Sequence, residues 1–382
     1  MKLPQITLFF AFLFSTLENY GNITLAVSFL FSILTLLLMS YLKFSRWGVV
    51  KLIVAFLLIN ILVFFSLNNI LTFKNNIENY SWGNFLISSF LKVFIAIVTI
   101  LFAKQDINRF LLIIKSVLTI HLCVFYIQFL LSHSTGIYLD FLSPITGESQ
   151  RYHSLMTLPI IGSLYRCSGL FNEPSLYAAF ILCLVFLLFH FQNKIGKIGF
   201  FAILSIFLTF ALAGMLSGAL LCFAVFYKKY NQFSIRTIIL TSMFVSLIPL
   251  FYLASERVDR TNFSPIAIRI NLINEVFNQE PLEIILGNGP MGVPTKLARF
   301  TSGDVMVDNE LASFPDAGAW LFIIMKFGLL SLVVYIFFTF KMLTSWNHGL
   351  VFFSILLTKM NFLYLFFVVF SLLVILVKNK KY

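Results

Sequence analysis

Charged side chains are scarce in this sequence. Only 11% of the 382 residues are Asp, Glu, Lys or Arg, whereas a soluble domain is usually about a quarter charged. Hydrophobic residues make up 60% of the chain, and Phe alone occurs 48 times. This composition excludes an ordinary soluble domain and predicts a protein that folds in lipid.

Metal-binding patterns are also missing. The four cysteines form no CxxC pair and three of them lie within apolar runs, so neither a zinc site nor a disulfide framework is indicated. The five histidines show no HxxxH or HExxH spacing. We therefore expect no metal and no other cofactor.

Basic residues outnumber acidic ones and produce a formal net charge of +12. They form short clusters between apolar runs rather than one basic face, which argues against nucleic-acid binding. The positive-inside rule instead predicts that alternate loops, at 43–46, 104–109, 194–197, 228–236 and 341, face the cytoplasm.

The apolar runs are long enough to cross a bilayer, which requires roughly 20 predominantly apolar residues per span. The last run, 343–377, is split near Lys359–Asn361, because the lysines on both sides of it are expected in the cytoplasm. The sequence thus predicts an all-α polytopic membrane protein, one integral membrane domain over 1–382, with about twelve transmembrane helices. Gly214-xxx-Gly218 predicts close packing between two of them. The other predicted spans are 3–17, 23–42, 48–67, 84–103, 110–132, 174–191, 198–213, 215–227, 235–253 and 317–340.

Two connections, 133–173 and 254–316, are much longer than the others, and both are expected on the outer face of the membrane. Together with Pro174, at the edge of the first, they contain eight of the ten prolines. Because long loops in a compact protein are usually functional, the candidate site residues are expected in them.

The segment "RCSGLFNEPS" (166–175) places an arginine and a carboxylate at the start of a predicted helix. Pro174 suits the first turn, Asn172 is a candidate N-cap, and Glu173 lies beside the positive end of the helix dipole. Arg166 is expected at the outer membrane interface, where its guanidinium can bind a phosphate with two hydrogen bonds. Alternatively, it snorkels to lipid headgroups or pairs with Glu173 as a structural latch.

An amphipathic helix is predicted in the second long loop, because Ser264–Pro265 indicates a helix start and Pro281 follows its end. Arg269 falls within the apolar stripe, where a charge is costly unless it meets an anion or a partner. An interfacial helix with one snorkelling arginine is the alternative. The apolar side comprises Ile266, Ile270, Leu272, Ile273, Val276 and Phe277, and the polar side comprises Asn271, Asn274, Glu275 and Asn278.

Three further features are candidates for chemistry. The segment "GNGPMG" (287–292) either cradles a phosphate with backbone N–H groups or forms a glycine–proline turn. Asp308, Glu310 and Asp316 precede the next predicted span, where a desolvated carboxylate can act as a general base or belong to a solvated acidic rim. His153, in the first long loop, is another candidate base.

Taken in order, these motifs resemble those of the Wzy-type polysaccharide polymerases, which include the O-antigen polymerases. The similar elements are "R-x-S-G-L-F-x-E-P", an arginine-bearing loop helix followed by "G-N-G-P", and a "D-x-G" span start followed by "F-G-L-L". The resemblance covers approximately residues 150–340, and the block at 166–175 is its specific part. The wider superfamily also includes the O-antigen ligases.

The resemblance implies a metal-independent, inverting glycosyltransferase in the bacterial cytoplasmic membrane, with its active site on the periplasmic or outer face. The implied donor and acceptor are oligosaccharides linked to undecaprenyl pyrophosphate, and the implied product is O-antigen or a related surface polysaccharide. Membrane lipid and a chain-length regulator protein are further implied partners.

Matched motif by motif, Arg166 and Arg269 would hold the donor pyrophosphate. Glu173 and Asp316 would orient those arginines or deprotonate the acceptor hydroxyl. Such a site needs no metal, because fixed guanidinium groups in a low-dielectric cleft can stabilise the negative charge that develops on the leaving pyrophosphate.

One departure concerns the corner near 209–219, where many relatives carry an "S-x-S-R" element and this chain has no arginine. Arg257 or Arg260 is expected to supply the missing anion contact. The remaining substrate-binding candidates are His153, Asn172, Asp308 and Asn309.

Two other functions compete with polymerisation. Ligases of this superfamily have a catalytic histidine in their long outer loop, and no histidine occurs between 254 and 316, which favours a polymerase. A lipid-linked sugar flippase or transporter would carry ionisable groups inside its spans. The predicted spans offer almost none, and Lys92 and Lys115, near span ends, are the nearest cases.

Overall fold

The computed structural model describes residues 2–39, 82–150, 156–158, 162–229, 265–289, 294, 304–307, 310–313, 318–343, 345–361 and 363–377. Within these residues the protein is a bundle of α-helices, as the sequence predicts, with two short β-hairpins in the long connections. The predicted spans 48–67 and 235–253 lie outside the described residues.

Each predicted span within the described residues overlaps a helix, and the predicted break between the last two is confirmed. The corner predicted between 213 and 215 lies earlier, because one helix ends at Leu208 and the next begins at Leu212. The helices are α1 (Leu3–Ser15), α2 (Asn22–Leu38), α3 (Trp82–Gln105), α4 (Ile107–Thr135), α5 (Ser143–Thr146), α6 (Pro174–Gln192), α7 (Gly196–Leu208), α8 (Leu212–Lys229), α9 (Pro265–Phe277), α10 (Pro281–Leu286), α11 (Ala319–Met342), α12 (Trp346–Leu356) and α13 (Leu365–Leu376). A 3₁₀ turn, Glu18–Tyr20, joins α1 to α2.

Four stretches of the described helices are long and apolar enough to cross a membrane. They are Ile87–Gln105 within α3, Ile107–Thr135, Pro174–Gln192 and Ala319–Met342. Helices α1, α2, α7, α8 and α13 are apolar but shorter. The helices are therefore compatible with an integral membrane protein.

Helix α6 lies at the centre of the bundle. It contacts α4, α7, α8, α12 and α13, and nearly all of its side chains are buried. Helix α6 is apolar on every side, since "LYAAFILCLVFLLF" provides no polar face, and the surrounding helices cover those sides. In its second turn, the ring of Phe180 lies 4.8 Å from that of Phe171 and 5.2 Å from that of Phe366. The N-terminus of α6 therefore lies centrally at one end of the bundle.

The predicted close packing at Gly214-xxx-Gly218 is confirmed for Gly214. A Cβ atom on Gly214 would lie 2.6 Å from the Cβ of Ala178 in α6. Gly218 faces Ile206 of α7 at an ordinary 3.5 Å. These small residues bring α8 against two neighbouring helices of the same chain.

The second long connection docks into a break in α11. The helix is interrupted at Gly328, where φ is 81°. The backbone N–H and the side-chain Nδ2 of Asn288 both donate to the carbonyl of Met325, each at 2.9 Å. The described part of "GNGPMG", Gly287–Gly289, is thus a turn that packs on α11. Two N–H groups of the predicted cradle are already bonded within the protein, since that of Gly287 donates to the carbonyl of Glu283 at 2.8 Å.

Helix α9 forms where the sequence predicts it, but the expected apolar stripe is only partly buried. Leu272 and Val276 are each 1% exposed and pack against α11, with Ile273 beside them. Ile270 and Phe277 are 50% and 41% exposed. The stripe does not dock as one face, because α9 contacts α11 along only one line of residues.

Both long connections contain more regular structure than the sequence indicates. In the first, β1 (Met156–Leu158) pairs antiparallel with β2 (Gly162–Leu164). In the second, β3 (Asp304–Val307) pairs antiparallel with β4 (Glu310–Ser313). Helix α4 also continues to Thr135, so the first connection begins slightly later than predicted.

Four connections meet at one end of the bundle, which we call the polar end. It comprises 18–20 between α1 and α2, 165–173 before α6, 209–211 between α7 and α8, and 357–364 between α12 and α13. Hydrogen bonds described below join them. The connections between α3 and α4, α6 and α7, and α11 and α12, which contain or adjoin Lys104, Lys194 and Lys341, lie at the opposite ends of these helices.

Candidate functional site

The loop that leads into α6 is held by two buried glutamines. Gln128 of α4 accepts hydrogen bonds through Oε1 from the N–H groups of Ser168 (3.0 Å) and Gly169 (2.8 Å). Gln150 donates through Nε2 to the carbonyls of Gly169 (2.7 Å) and Phe171 (2.8 Å). Gln128 Nε2 also donates to Gln150 Oε1 at 2.9 Å. Satisfied buried networks of this kind rigidify the backbone that they hold.

The glycine of the "SGLF" motif is Gly169, and its backbone conformation and close packing explain why a glycine lies there. Its φ is 58°, which disfavours other residues, and an added Cβ would lie 3.3 Å from the ring of Tyr177. Phe171, two residues on, is completely buried. The motif is therefore a tight bend whose shape is specified by packing against α4 and α6.

Arg166 lies half-buried at the polar end, where its Nε donates to the carbonyl of Thr209 at 3.1 Å. Thr209 ends α7, and the next residue, Phe210, has a φ of 51°. Because this contact uses Nε, it does not require the terminal Nη groups of the guanidinium. The α7–α8 corner thus provides a carbonyl that positions Arg166.

The residue that caps α6 is Glu173, so the prediction that Asn172 is the N-cap is wrong. The carbonyl of Glu173 accepts from the N–H groups of Leu176 (3.2 Å) and Tyr177 (3.1 Å), and Pro174 occupies the first helical position. Proline at that position makes the preceding residue the cap, whatever its side chain prefers.

Asn172 instead connects the loop to the α1–α2 corner. Its N–H donates to Asn19 Oδ1 at 3.4 Å. Its own Oδ1 is buried and, within the described part of the chain, accepts no hydrogen bond. A buried acceptor without a donor costs folding free energy. Asn172 therefore remains a candidate contact for a substrate hydroxyl.

The carboxylate of Glu173 forms an ion pair with Lys359, which the sequence analysis did not select. Lys359 Nζ lies 2.6 Å from Glu173 Oε2, and the two side chains are only 17% and 14% exposed. Ser175 Oγ donates to the same Oε2 at 3.1 Å. The sequence analysis considered a structural latch in which Arg166 pairs with Glu173. In the structure, Lys359 forms this pair with Glu173. A sequence signal existed, because Lys359 is the only Lys, Arg, Asp or Glu between 343 and 377.

Two further ionisable side chains, Glu18 and Lys92, fix the corner that carries Lys359. Glu18 Oε2 accepts from the N–H of Leu365 at 3.0 Å, and Lys92 Nζ donates to the carbonyl of Leu363. Burial raises the pKa of the Glu18 carboxyl, and the positive charge of Lys92 opposes that shift. These contacts join the α12–α13 corner to α3 and to the α1–α2 corner.

Lys326 was also missed by sequence reasoning, which found almost no ionisable groups within the predicted spans. It lies in α11, is 5% exposed, and places its Nζ 5.7 Å from the centre of the Phe322 ring. A lysine between apolar neighbours in "IIMKFG" is the signal that pointed to it.

The structure therefore brings together three of the predicted site residues, Arg166, Asn172 and Glu173, and adds Lys359. Arg269 lies in α9, where the backbone but not the side chain is described. Among the described residues, no group of three or more His, Cys, Asp or Glu is placed to hold a metal ion. Six predicted site residues lie outside the described residues: His153, Arg257, Arg260, Asp308, Asn309 and Asp316.

We expect Gln128→Leu to destabilise the protein by several kcal/mol, because each buried group left without a partner costs about 1–3 kcal/mol. The N–H groups of Ser168 and Gly169 would both lose their acceptor. Gln128→Glu keeps that acceptor and loses the Nε2 donor, so an intermediate effect is expected. Thermal unfolding of the purified protein measures both.

The matched control for this series is Gln105→Leu, since Gln105 is exposed at the end of α3. It should unfold at nearly the unaltered temperature. A Gln128→Leu protein as stable as this control would contradict the role assigned to the two glutamines.

No family model, curated protein or solved structure matches this chain. The fold and the site define a helical, membrane-compatible protein with a partly buried cluster of charged side chains at one end of its bundle.

Proposed function

We propose that this protein polymerises oligosaccharide repeat units linked to undecaprenyl pyrophosphate into O-antigen or a related surface polysaccharide. The proposed location is the bacterial cytoplasmic membrane, with the polar end on the outer face. The observation that carries the proposal is Arg166, held half-buried at the polar end, to which Glu173 and the N-terminus of α6 also belong. The resemblance of residues 166–175 to the Wzy-type polymerases supports the same conclusion.

The charge that develops in such a reaction lies on the leaving group. The bond between the sugar C1 and the pyrophosphate oxygen breaks, and its electron pair leaves with the pyrophosphate. A guanidinium that is already in position stabilises this charge with little reorganisation. Arg166 satisfies that requirement, since Gln128, Gln150 and Thr209 hold its loop and side chain.

The acceptor hydroxyl attacks C1 from the opposite face, which inverts the configuration, and its proton passes to a carboxylate. Glu173 is the described candidate for that base, and Asp316 is the other. Arg269 is proposed as the second pyrophosphate ligand, with Arg257 or Arg260 as a further anion contact. Proposed contacts to the sugars are His153, Asn172, Asp308 and Asn309.

A lipid-linked sugar carrier is the second candidate. One observation favours it, namely that Lys326 is buried within a helix long enough to cross a membrane. Ionisable groups at such positions are typical of transporters. The polymerase is preferred, because Arg166, Glu173 and Lys359 all lie at the polar end.

The test is deletion of the gene in the producing bacterium, followed by a ladder gel of its surface glycan. We expect single repeat units on the cell surface and no long chains. Complete loss of surface glycan, with full-length chains left on the lipid carrier, would support a ligase instead. Loss of surface glycan with single repeats retained on the inner face would support the carrier.

A further inference from the structure

We propose that Lys359 is a pyrophosphate ligand of the site, and that the carboxylate of Glu173 and a substrate pyrophosphate compete for its ammonium group. This inference rests on the proposed function and deepens it. It assigns to Lys359 a role that neither composition nor the resemblance to polymerases assigns.

The position of the Lys359 ammonium is set from two sides. On one side, Glu173 Oε2 lies 2.6 Å from Nζ, and Ser175 holds the same oxygen. On the other, the corner that carries Lys359 is bonded through Leu363 and Leu365 to neighbouring helices. An ammonium held in this way is preorganised for an anion, because little side-chain freedom remains to be lost on binding.

The chemistry of the pair favours exchange rather than a permanent latch. A phosphate oxygen accepts the same charge-assisted hydrogen bond as a carboxylate oxygen. A pyrophosphate carries more negative charge than one carboxylate, and Arg166 lies at the same end of the bundle to share it. Both partners of the pair also retain some exposure, at 17% and 14%, so an anion can approach them.

Exchange would couple binding of the donor to activation of the base. While Lys359 is paired with Glu173, its positive charge weakens the carboxylate as a proton acceptor. Transfer of Nζ to the pyrophosphate leaves the carboxylate to take the proton of the acceptor hydroxyl. The pyrophosphate then departs with the C1–O electron pair, its charge balanced by Arg166 and Lys359. The site is therefore expected to work with donor bound first.

The experiment measures binding of undecaprenyl pyrophosphate to the full chain in phosphatidylcholine nanodiscs. Glu173→Gln removes the competing charge, so we expect it to bind the probe roughly 3- to 10-fold more tightly, yet to support no chain elongation in cells. Lys359→Met should bind it roughly 10- to 100-fold more weakly, and Lys359→Arg should recover most of the affinity. If Lys359 served only as a structural latch, Glu173→Gln would not bind undecaprenyl pyrophosphate more tightly than the unaltered protein.

A double variant keeps the inference testable if a single variant fails to fold. Removal of one partner of a partly buried ion pair leaves an uncompensated charge and can prevent folding, whereas removal of both often does not. Glu173→Gln/Lys359→Met should therefore fold and still bind undecaprenyl pyrophosphate weakly. Lys104→Met, at an exposed lysine of α3, is the matched control and should bind as the unaltered protein does.

Two results would overturn the inference. The first is a folded double variant that binds undecaprenyl pyrophosphate with unaltered affinity, which would leave Lys359 as a structural latch. The second is equal competition by phosphatidylglycerol, since the site would then bind lipid headgroups. Failure of the proposed function looks different, because the gene deletion would leave the glycan ladder unchanged.

Discussion

Replacing Arg166 with lysine is expected to reduce chain elongation by about 100-fold, although the positive charge is kept. The expected loss corresponds to the planar pair of hydrogen bonds that a guanidinium makes to phosphate, since hydrogen bonds to charged groups contribute about 1.5–3 kcal/mol each and 1.4 kcal/mol is tenfold. The lysine can still donate to the Thr209 carbonyl, which uses only one donor of Arg166. The measurement is the length distribution of surface glycan in cells that carry the variant in place of the unaltered gene.

The control is Arg109→Lys. Arg109 lies in the first turn of α4, at the end of the bundle opposite Arg166, and it pairs with Asp106 at 2.9 Å with both side chains partly exposed. Exposed ion pairs contribute little, so this variant should give an unaltered ladder. Full-length glycan from the Arg166→Lys cells would rule out the bidentate phosphate role and leave Arg166 as a residue that joins two corners of the bundle.

Substitution of Gly328 by alanine is expected to cost about 2–5 kcal/mol of folding free energy, from a left-handed backbone and a steric clash together. Its φ is 81°, and the new Cβ would lie 2.0 Å from the carbonyl oxygen of Ile285. Because that atom belongs to backbone, no side-chain rotation can relieve the clash. We expect α10 to separate from α11, with a large fall in the thermal unfolding temperature of the purified protein.

Gly147→Ala separates the two causes. Gly147 has a similar φ of 77°, but an added Cβ there would meet no atom within 4 Å. It should lose only the backbone contribution, about 1–2 kcal/mol. Equal falls in unfolding temperature for the two variants would show that the close approach of α10 to Gly328 has no energetic consequence.

The helical part of this fold is predictable from the sequence because its cause is local. Helix α6 is a continuous apolar run that begins at Pro174, and both signals lie within the segment itself. The break between α12 and α13 is predicted because Lys341 and the C-terminal lysines are both expected in the cytoplasm, which requires two spans between them. The failed N-cap prediction is also instructive, since Pro174 identified the cap by position while Asn172 was chosen by residue preference.

The site is less predictable, because its contacts join residues that are far apart in sequence. Glu173 and Lys359 are separated by 186 positions, and no spacing rule relates them. In the sequence, Gln128 and Gln150 resemble ordinary polar residues. Their role becomes visible only in the structure, where both bind the backbone of the loop before α6. Lys326 was overlooked because one lysine scarcely changes the hydropathy of a long apolar run.

By itself, the sequence determined that this chain is a set of apolar helices with basic residues at alternate connections, and that Arg166 and Glu173 precede one of these helices. Periodicity, proline position and hydropathy act within a few residues, so they can be read along the chain. Only the tertiary structure decided that Lys359 pairs with Glu173, that Thr209 positions Arg166, and that a glycine turn docks on the break in α11. Those contacts arise from packing of distant segments, and their energy comes from burial and pairing that no local pattern records.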